Sequence, residues 1–493
     1  MTAELPAADP PEPRLVAFLC RWCASAAADQ AGRARLPLPH SLLTVELPCT
    51  GRVEPAFVLQ AFREGADGVL VAGCHPGDCH YVDGNLRAHA RHALLSRALQ
   101  QAGLEPERLQ LVWAGASEAE RLVAAATRMT EALRRLGPLD LPRRALAASA
   151  PAELEQAPRD PPPRAPGKPR VAFYWNASCG GCEEAVVDLG EGFADLAERV
   201  EIVLWPVAMD WKRADVEAMP DGHIDVAFLN GALRLDEQED WARLLRRKAR
   251  RVVAFGACAH LGGVVGLGNL STPDQILDAA YREAPTISNP EGPVPGRPGG
   301  HHALEDGALT PHLPILLPRT LPLAGAVEVD AVIPGCPPST AVITAALEVL
   351  LGGAALAPGV VLAPNASLCD TCPRRDSKPE RLELTALRRL DTTQPDEATC
   401  FLAQGLVCLG PGTRQGCQPG CLEVNMPCRG CFGALDGVAD AGAAALSAMA
   451  SLLHGDEAAI ARLAAGLPDP AGLFWRYGYA AGLVPLRLPG GRP

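Results

Sequence analysis

The chain has 493 residues, 48% of them hydrophobic, with 45 Lys and Arg against 57 Asp and Glu for a formal net charge of -12. That length allows two to four domains with ordinary cores, and the acidic balance argues against a nucleic-acid surface, which needs clustered cations. The opening residues, MTAELPAADPPEPR, hold neither a basic segment followed by an apolar run nor a twin-arginine pattern, so residues 1–13 read as a disordered tail rather than a signal peptide. The most apolar stretch, about 346–364, carries Glu348, glycines and prolines that a spanning helix tolerates poorly, so a cytoplasmic location is expected. There the 17 cysteines read as metal ligands before disulfides, because cytosolic thiols are kept reduced and an odd number cannot all pair.

In chain order, residues 14–137 alternate short apolar runs with helical patterns. LVAFLC, LLTVELPC, GVLVAGC and LQLVWAG read as strands, and PAFVLQAFREG, NLRAHARHALLSRALQQAG and SEAERLVAAATRMTEALRRLG as helices, the pattern of an α/β domain with a largely parallel sheet. Its cysteines fall at strand ends, where open α/β sheets gather ligands. Residues 138–168 are rich in Pro, Ala and charge without an apolar period and read as a linker. A second α/β pattern begins at Arg170 and runs through VAFYW, EIVLWPVAM, HIDVAFLNGAL, a helix DEQEDWARLLRRKARR, VVAFGAC and VEVDAVIPGC to about residue 358, interrupted by a Pro/Gly-rich loop at 284–314. From 359 to 493 the alternation fades, and eight of the cysteines lie between 369 and 431, the mark of a cysteine-rich cap.

The second module places SCGGC (Cys179, Cys182), FGACAH (Cys258) and IPGCPP (Cys336) at successive strand ends. A Cys-x2-Cys turn offers two thiolates beside free amides, and two single cysteines complete a set of four. Taken alone, Cys258 or Cys336 is more simply a small buried hydrophobe. Four thiols in glycine-rich turns favour ligation, of iron-sulfur or of zinc, which softness does not separate.

In order, SCGGCEE, WPVAMD, FGACAHLGG, VDAVIPGCPP, CDTCPRR, QGLVCLGPGTRQGC and MPCRGCFG resemble the small subunit of nickel-iron hydrogenases, of the methyl-viologen-reducing type associated with heterodisulfide reductase, over about residues 168–460. The resemblance implies a flavodoxin-like α/β domain of hydrogenase small-subunit type with a cysteine-rich iron-sulfur cap. It further implies a proximal 4Fe-4S cluster on Cys179, Cys182, Cys258 and Cys336, a medial one on Cys417, Cys421, Cys428 and Cys431, and a distal one on Cys369, Cys372, Cys400 and Cys408. The order leaves open which cap cluster Cys400, Cys408 and Cys421 serve. Respiratory relatives carry histidine where Cys369 stands and commonly lack the fourth medial cysteine, and both changes add thiolate charge that lowers potential. Glu183 matches a family glutamate proposed to pass protons; its plain alternative is an acid favoured by the helix dipole. Arg374 and Arg375 read equally as partner- or sulfur-binding residues or as a solvated basic turn.

FREGADGVLVAGCHPGDCHY resembles the iron-sulfur delta subunit of the same hydrogenase over about residues 14–130, which implies one 2Fe-2S cluster on four of Cys20, Cys23, Cys49, Cys74 and Cys79. Cys49, isolated after its strand, is the first to set aside, and His75 and His80 read as loop residues before Rieske-like ligands. No cysteines remain for a nickel-iron site, so hydrogen activation is expected on a partner large subunit, with electrons passing to a heterodisulfide reductase-like flavin subunit and no membrane or nucleic acid involved. The competing expectations are a non-redox zinc scaffold and a complex I-type quinone-reductase subunit.

Overall fold

The computed structural model describes residues 12–139, 167–210, 213–289, 294, 314–418 and 420–484. Most of the expected tail at 1–13, linker at 138–168 and loop at 284–314 lies outside the described residues.

The first part is β1 (Leu15–Cys20), α1 (Ala26–Arg33), β2 (Leu42–Leu47), α2 (Pro55–Arg63), β3 (Gly68–Gly73), α3 (Gly84–Gln101), β4 (Leu109–Trp113) and α4 (Ala119–Leu136). Its strands lie in the order β2-β1-β3-β4, all parallel. A parallel sheet covered on both faces needs unbroken apolar strands, and every residue of β3, GVLVAG, is buried.

The second part contains β5 (Arg170–Trp175), α5 (Gly181–Val187), α6 (Glu191–Arg199), β6 (Glu201–Leu204), α7 (Arg213–Ala218), β7 (Ile224–Asn230), β8 (Leu233–Leu235), α8 (Asp236–Lys248), β9 (Ala249–Phe255), α9 (Ala257–Leu261), α10 (Pro273–Asp278), β10 (Leu316–Leu321), β11 (Ala331–Ile333), α11 (Thr340–Leu351) and β12 (Val360–Val361). Six strands form a parallel sheet in the order β12-β11-β9-β7-β5-β6, and β10 pairs with β8 in a separate antiparallel ribbon. The α/β fold expected from the sequence is therefore present twice.

The cap is mostly turns through Cys431, with α12 (Gly420–Glu423), and ends in α13 (Ala441–Ala450), α14 (Glu457–Ala465) and α15 (Pro470–Phe474). These last three helices each begin at an aspartate, Asp440, Asp456 or Asp469, whose carboxylate accepts from the amide of Ala443, Ala459 or Gly472 at 2.8 Å. Asp440 also accepts from Trp475 Nε1 at 2.8 Å and so fastens the chain after α15 back onto α13.

The union of the first part with the cap is not expected from the sequence. Val58, Leu95 and Leu99 of the first part share one buried core with Leu446, Trp475 and Tyr479 of the cap. At its rim, Ala471 N donates to Gln101 Oε1 at 2.8 Å and Gln101 Nε2 to Asp469 Oδ1 at 3.1 Å, while Ser447 Oγ bonds Glu54 and Arg97 bonds the Ala464 carbonyl. Among the described residues no helix is long and apolar enough to cross a membrane.

A chain cut within 140–166 at an inserted protease site is expected to elute as one species on size exclusion. Leu446 is fully buried in the shared core; Leu446→Ala, at a cost of about 2–5 kcal/mol for a core truncation, should let the two fragments separate. Fragments that part without the mutation would show that covalent tethering alone joins them.

Candidate metal centres

Parallel pairing puts the carboxyl ends of all strands at one edge, and the register decides which residues meet there. In the second sheet Trp175 stands opposite Asn230, Asn230 opposite Phe255, and Phe255 opposite Ile333. Cys179, Cys258 and Cys336 follow three to four residues after these level strand ends, and Cys182 opens α5. The other three thiols lie near enough to act on the charge of Cys182. Burial pushes the Cys182 thiol up, and the nearness of Cys258, Cys336 and Cys179 adds to it; Cys258 rises to about 11 for the same reasons, burial first. Cys182 is buried, whereas Cys179 and Cys336 are exposed, so the site opens to the protein surface.

The backbone leaves no room for side chains around these sulfurs. Gly256 has φ 87°, and a Cβ there would stand 2.3 Å from Cys182 Sγ. Glu183 is buried beside Asn230 and Trp205, and burial raises its carboxyl above the ordinary range. It stands in the first turn of α5, as the helix-dipole alternative has it, but in buried surroundings.

In the cap, burial raises Cys417 to about 11, with Cys428 and Cys421 next in effect. Cys431 rises to about 12 through burial and the nearby Cys428, Cys417 and Cys336, while the Cys336 amide donates to its sulfur. Cys428 donates to Thr413 Oγ1 at 3.5 Å. A small cavity is lined by Cys369, Cys372, Cys400 and Cys408, with Cys428, Arg374, Lys378 and Phe401 around them. The position a Cβ of Gly410 would take lies 3.4 Å from Cys369 Sγ and 3.6 Å from Cys408 Sγ. Cys408 and Cys428 thus stand where the two cap groups adjoin, and Cys431 where the cap adjoins the flavodoxin-like domain.

The solvated alternative does not describe Arg374, which lines the cavity of Cys369, Cys372, Cys400 and Cys408. It is buried, donates to the Asp396 and Thr399 carbonyls at 2.6 and 3.0 Å and to Asn425 Oδ1 at 2.8 Å, and lies over the Phe401 ring at 4.1 Å. It braces the Cys369–Cys372 turn against the segments that bring Cys400 and Cys421. Arg375 is exposed and bonds the Asp370 carbonyl at 3.1 Å. Thr413, Lys378 and the bracing role of Arg374 carry no spacing signal in the sequence; the Asp-initiated helices of the cap do, as N-caps.

In the first part Cys20 lies level with Leu47, and Leu19 with Ala72, so Cys20, Cys49 and Cys74 emerge from three strand ends together. Cys20, Cys23 and Cys74 are buried with their sulfurs all within 4.8 Å of one another. The Cys20 thiol, through its hydrogen bond with Cys23, falls to about 5 against the opposing effect of burial, while Cys23 is raised. Cys49, set aside by sequence isolation, is buried with its sulfur 3.9 Å from Cys79 Sγ. His75 Nε2 pairs with Glu118 Oε2 at 2.6 Å, and His80 stacks on Trp22 with ring centroids 3.9 Å apart, so both rings have other partners.

The donor sets suit iron-sulfur groups. Two thiolates on one tetrahedral metal, at bonds of roughly 2.3 Å, lie about 3.8 Å apart, which is the spacing of the N-terminal pairs. Among the described residues the other twelve cysteines form no such tight triad.

The family described as methyl-viologen-reducing hydrogenase, delta subunit, matches residues 15–137, and that described as NADH ubiquinone oxidoreductase, 20 Kd subunit, matches residues 179–350. These two matches, with the cysteine edges and the cap, define an iron-sulfur oxidoreductase subunit of hydrogenase small-subunit type with a delta-subunit part ahead of it.

The G-type iron-sulfur subunit of the F420-non-reducing hydrogenase of Archaeoglobus profundus is 33% identical over 322 residues, 65% of this chain and 98% of that protein. The D-type iron-sulfur subunit from the same organism is 45% identical over 132 residues, 27% of this chain and 96% of that protein. The chain belongs to the F420-non-reducing hydrogenase iron-sulfur subunit family and unites its D-like and G-like parts. The D-like part is also similar to the A-type subunit of the Ferredoxin:CoB-CoM heterodisulfide reductase of Methanosarcina mazei, 42% identical over 127 residues, 26% of this chain and 16% of that protein.

In Gly256→Ala the new Cβ, 2.3 Å from Cys182 Sγ, must displace that thiol. Iron in anaerobically purified protein is expected to fall by about four per chain, the content of one cubane; unchanged iron would remove Cys182 from the ligand set.

Proposed function

We propose that this chain is the electron-transfer subunit of a cytoplasmic nickel-iron hydrogenase, joining a separate large subunit that oxidises H2 to a heterodisulfide reductase-like flavoprotein. The observation that carries the reading is the succession of cysteine groups, each adjoining the next, from the exposed edge at Cys179 through the cap. Cys179, Cys182, Cys258 and Cys336 would hold a proximal 4Fe-4S cluster, Cys417, Cys421, Cys428 and Cys431 a medial one, Cys369, Cys372, Cys400 and Cys408 a distal one, and the N-terminal cysteines a 2Fe-2S cluster. When bound, such groups accept and release single electrons.

The protein's own part is placement and tuning. The Cys336 amide on Cys431 sulfur joins the first two groups, and Cys408 and Cys428 join the next two. Cys400 and Cys408 pack against the core shared with the first part, and Asp83, four residues after Cys79, feels the charge of Arg381. Thiolates at every position, Cys369 and Cys421 included, hold negative charge at each centre and favour low potential.

Exposed Trp175, whose Nε1 donates to the Ser178 carbonyl beside Cys179, offers an apolar surface at the open edge suited to the large subunit. Glu183, with its raised carboxyl, is placed to hold a proton there. Trp22, Tyr81 and Val82, close in sequence to Cys23 and Cys79, are exposed and would offer a face to the flavoprotein.

Protein purified anaerobically with its large subunit is expected to contain about fourteen irons in this chain and to show EPR signals on exposure to H2. Stoichiometric zinc without a brown chromophore would overturn the reading in favour of a scaffold. Cys258→Ser is expected to remove the proximal signal alone; loss of the cap signals instead would refute the grouping of ligands.

A further inference from the structure

Five thiols stand at the N-terminal site, where a 2Fe-2S cluster takes four. Their arrangement is uneven. Cys49 Sγ and Cys79 Sγ are 3.9 Å apart, and Cys20 Sγ and Cys74 Sγ are 3.7 Å apart. Each separation is that of two thiolates on one tetrahedral metal, about 3.8 Å for bonds of roughly 2.3 Å. Cys23 joins only the second pair, its sulfur within 4.8 Å of both Cys20 and Cys74. No third thiol, imidazole or carboxylate among the described residues joins Cys49 and Cys79 within that radius.

The two halves also differ in their supports. Gly51 N donates to Cys49 Sγ at 3.4 Å. The start of α3 presses on the same pair, since a Cβ on Gly84 would lie 2.4 Å from Cys49 Sγ and 3.4 Å from Cys79 Sγ. The pair is fixed from both sides. The triad instead combines the end of β1 and the helical turn that follows it, which supply Cys20 and Cys23, with Cys74 directly after β3, and all three thiols are buried.

Resting on the 2Fe-2S reading above, we infer that the site is built as two plus three: Cys49 and Cys79 hold one iron without a substitute, and any two of Cys20, Cys23 and Cys74 hold the other. The third thiol of the triad is a replacement ligand already in place. When it takes over, its proton passes to the displaced thiolate as one iron-sulfur bond forms and another breaks, so the charge and oxidation state of the site are unchanged. Cys49, which sequence isolation puts last, becomes one of the two indispensable ligands.

The test uses the full chain, purified anaerobically, with iron and sulfide analysis and EPR of the reduced 2Fe-2S centre. Cys49→Ala and Cys79→Ala are each expected to lose that signal and about two irons per chain, with the cap and proximal signals intact as the sign of a folded molecule. Cys20→Ala, Cys23→Ala and Cys74→Ala should each keep the iron and show at most shifted g-values, and the double variant Cys20→Ala with Cys23→Ala should lose it. Cys49→Ser, closest to cysteine in shape, guards against local unfolding and is expected to lose or alter the signal where the triad variants keep it.

Retention of an unaltered centre in Cys49→Ala, or loss in any single triad variant to the extent seen for Cys49→Ala, overturns the two-plus-three assignment. An unmutated chain without any 2Fe-2S signal overturns the cofactor reading itself, so the two failures are told apart by the unmutated protein.

Discussion

Burying a thiolate is unfavourable, and this chain buries or half-buries most of its 17 cysteines. Burial first, with the neighbouring thiols next, raises Cys258 and Cys417 to about 11 and Cys408 and Cys431 to about 12. Without a cation these groups would stay protonated at neutral pH. With one they can all ionise, because metal binding supplies the charge that desolvation removes and releases the thiol protons. The architecture therefore makes sense as a set of anionic cages whose stability depends on what fills them, and the turns of the cap, short of regular secondary structure, depend on it most.

Delivering the thiols to the cages is the work of parallel sheets. A strand end fixes position to within a residue, and a parallel register repeats that position on the next strand, so residues remote in sequence arrive at one edge. Cys179 and Cys336 are brought together across the sheet in this way, and Cys20, Cys49 and Cys74 repeat the device on a smaller sheet. The cap has no sheet and relies on side chains. Arg374, donating to Asp396, Thr399 and Asn425, ties three cysteine-bearing segments where a β-ladder would otherwise do so.

Most of the α/β architecture was legible in the sequence because buried parallel strands write themselves as apolar runs, as LVAFLC and GVLVAGC do, and because glycine-flanked cysteines mark where those runs end. The family was legible in the same motifs. The position of Cys49 beside Cys79 was not, since it depends on α3 carrying Gly84 against the pair, a contact between residues 35 apart with no periodic signature. The bracing contacts of Arg374 were hidden for a related reason: the carbonyls that bury it come from segments remote in the sequence.

The union of the first part with the cap was hidden most completely, because the apolar faces of α3 and α13 each look like ordinary amphipathic or core helices. Its consequence is mechanical as well as energetic. A linker raises effective concentration but leaves orientation free, whereas a shared core with Leu95, Leu446 and Trp475 inside it and Gln101 bonded across its edge fixes one arrangement. Electron transfer falls steeply with separation, so a fixed arrangement matters more than proximity on average. Where two separate chains must form this contact by collision, the fused chain forms it once, on folding, and the same apolar surface that would otherwise be an interface between chains becomes part of the core.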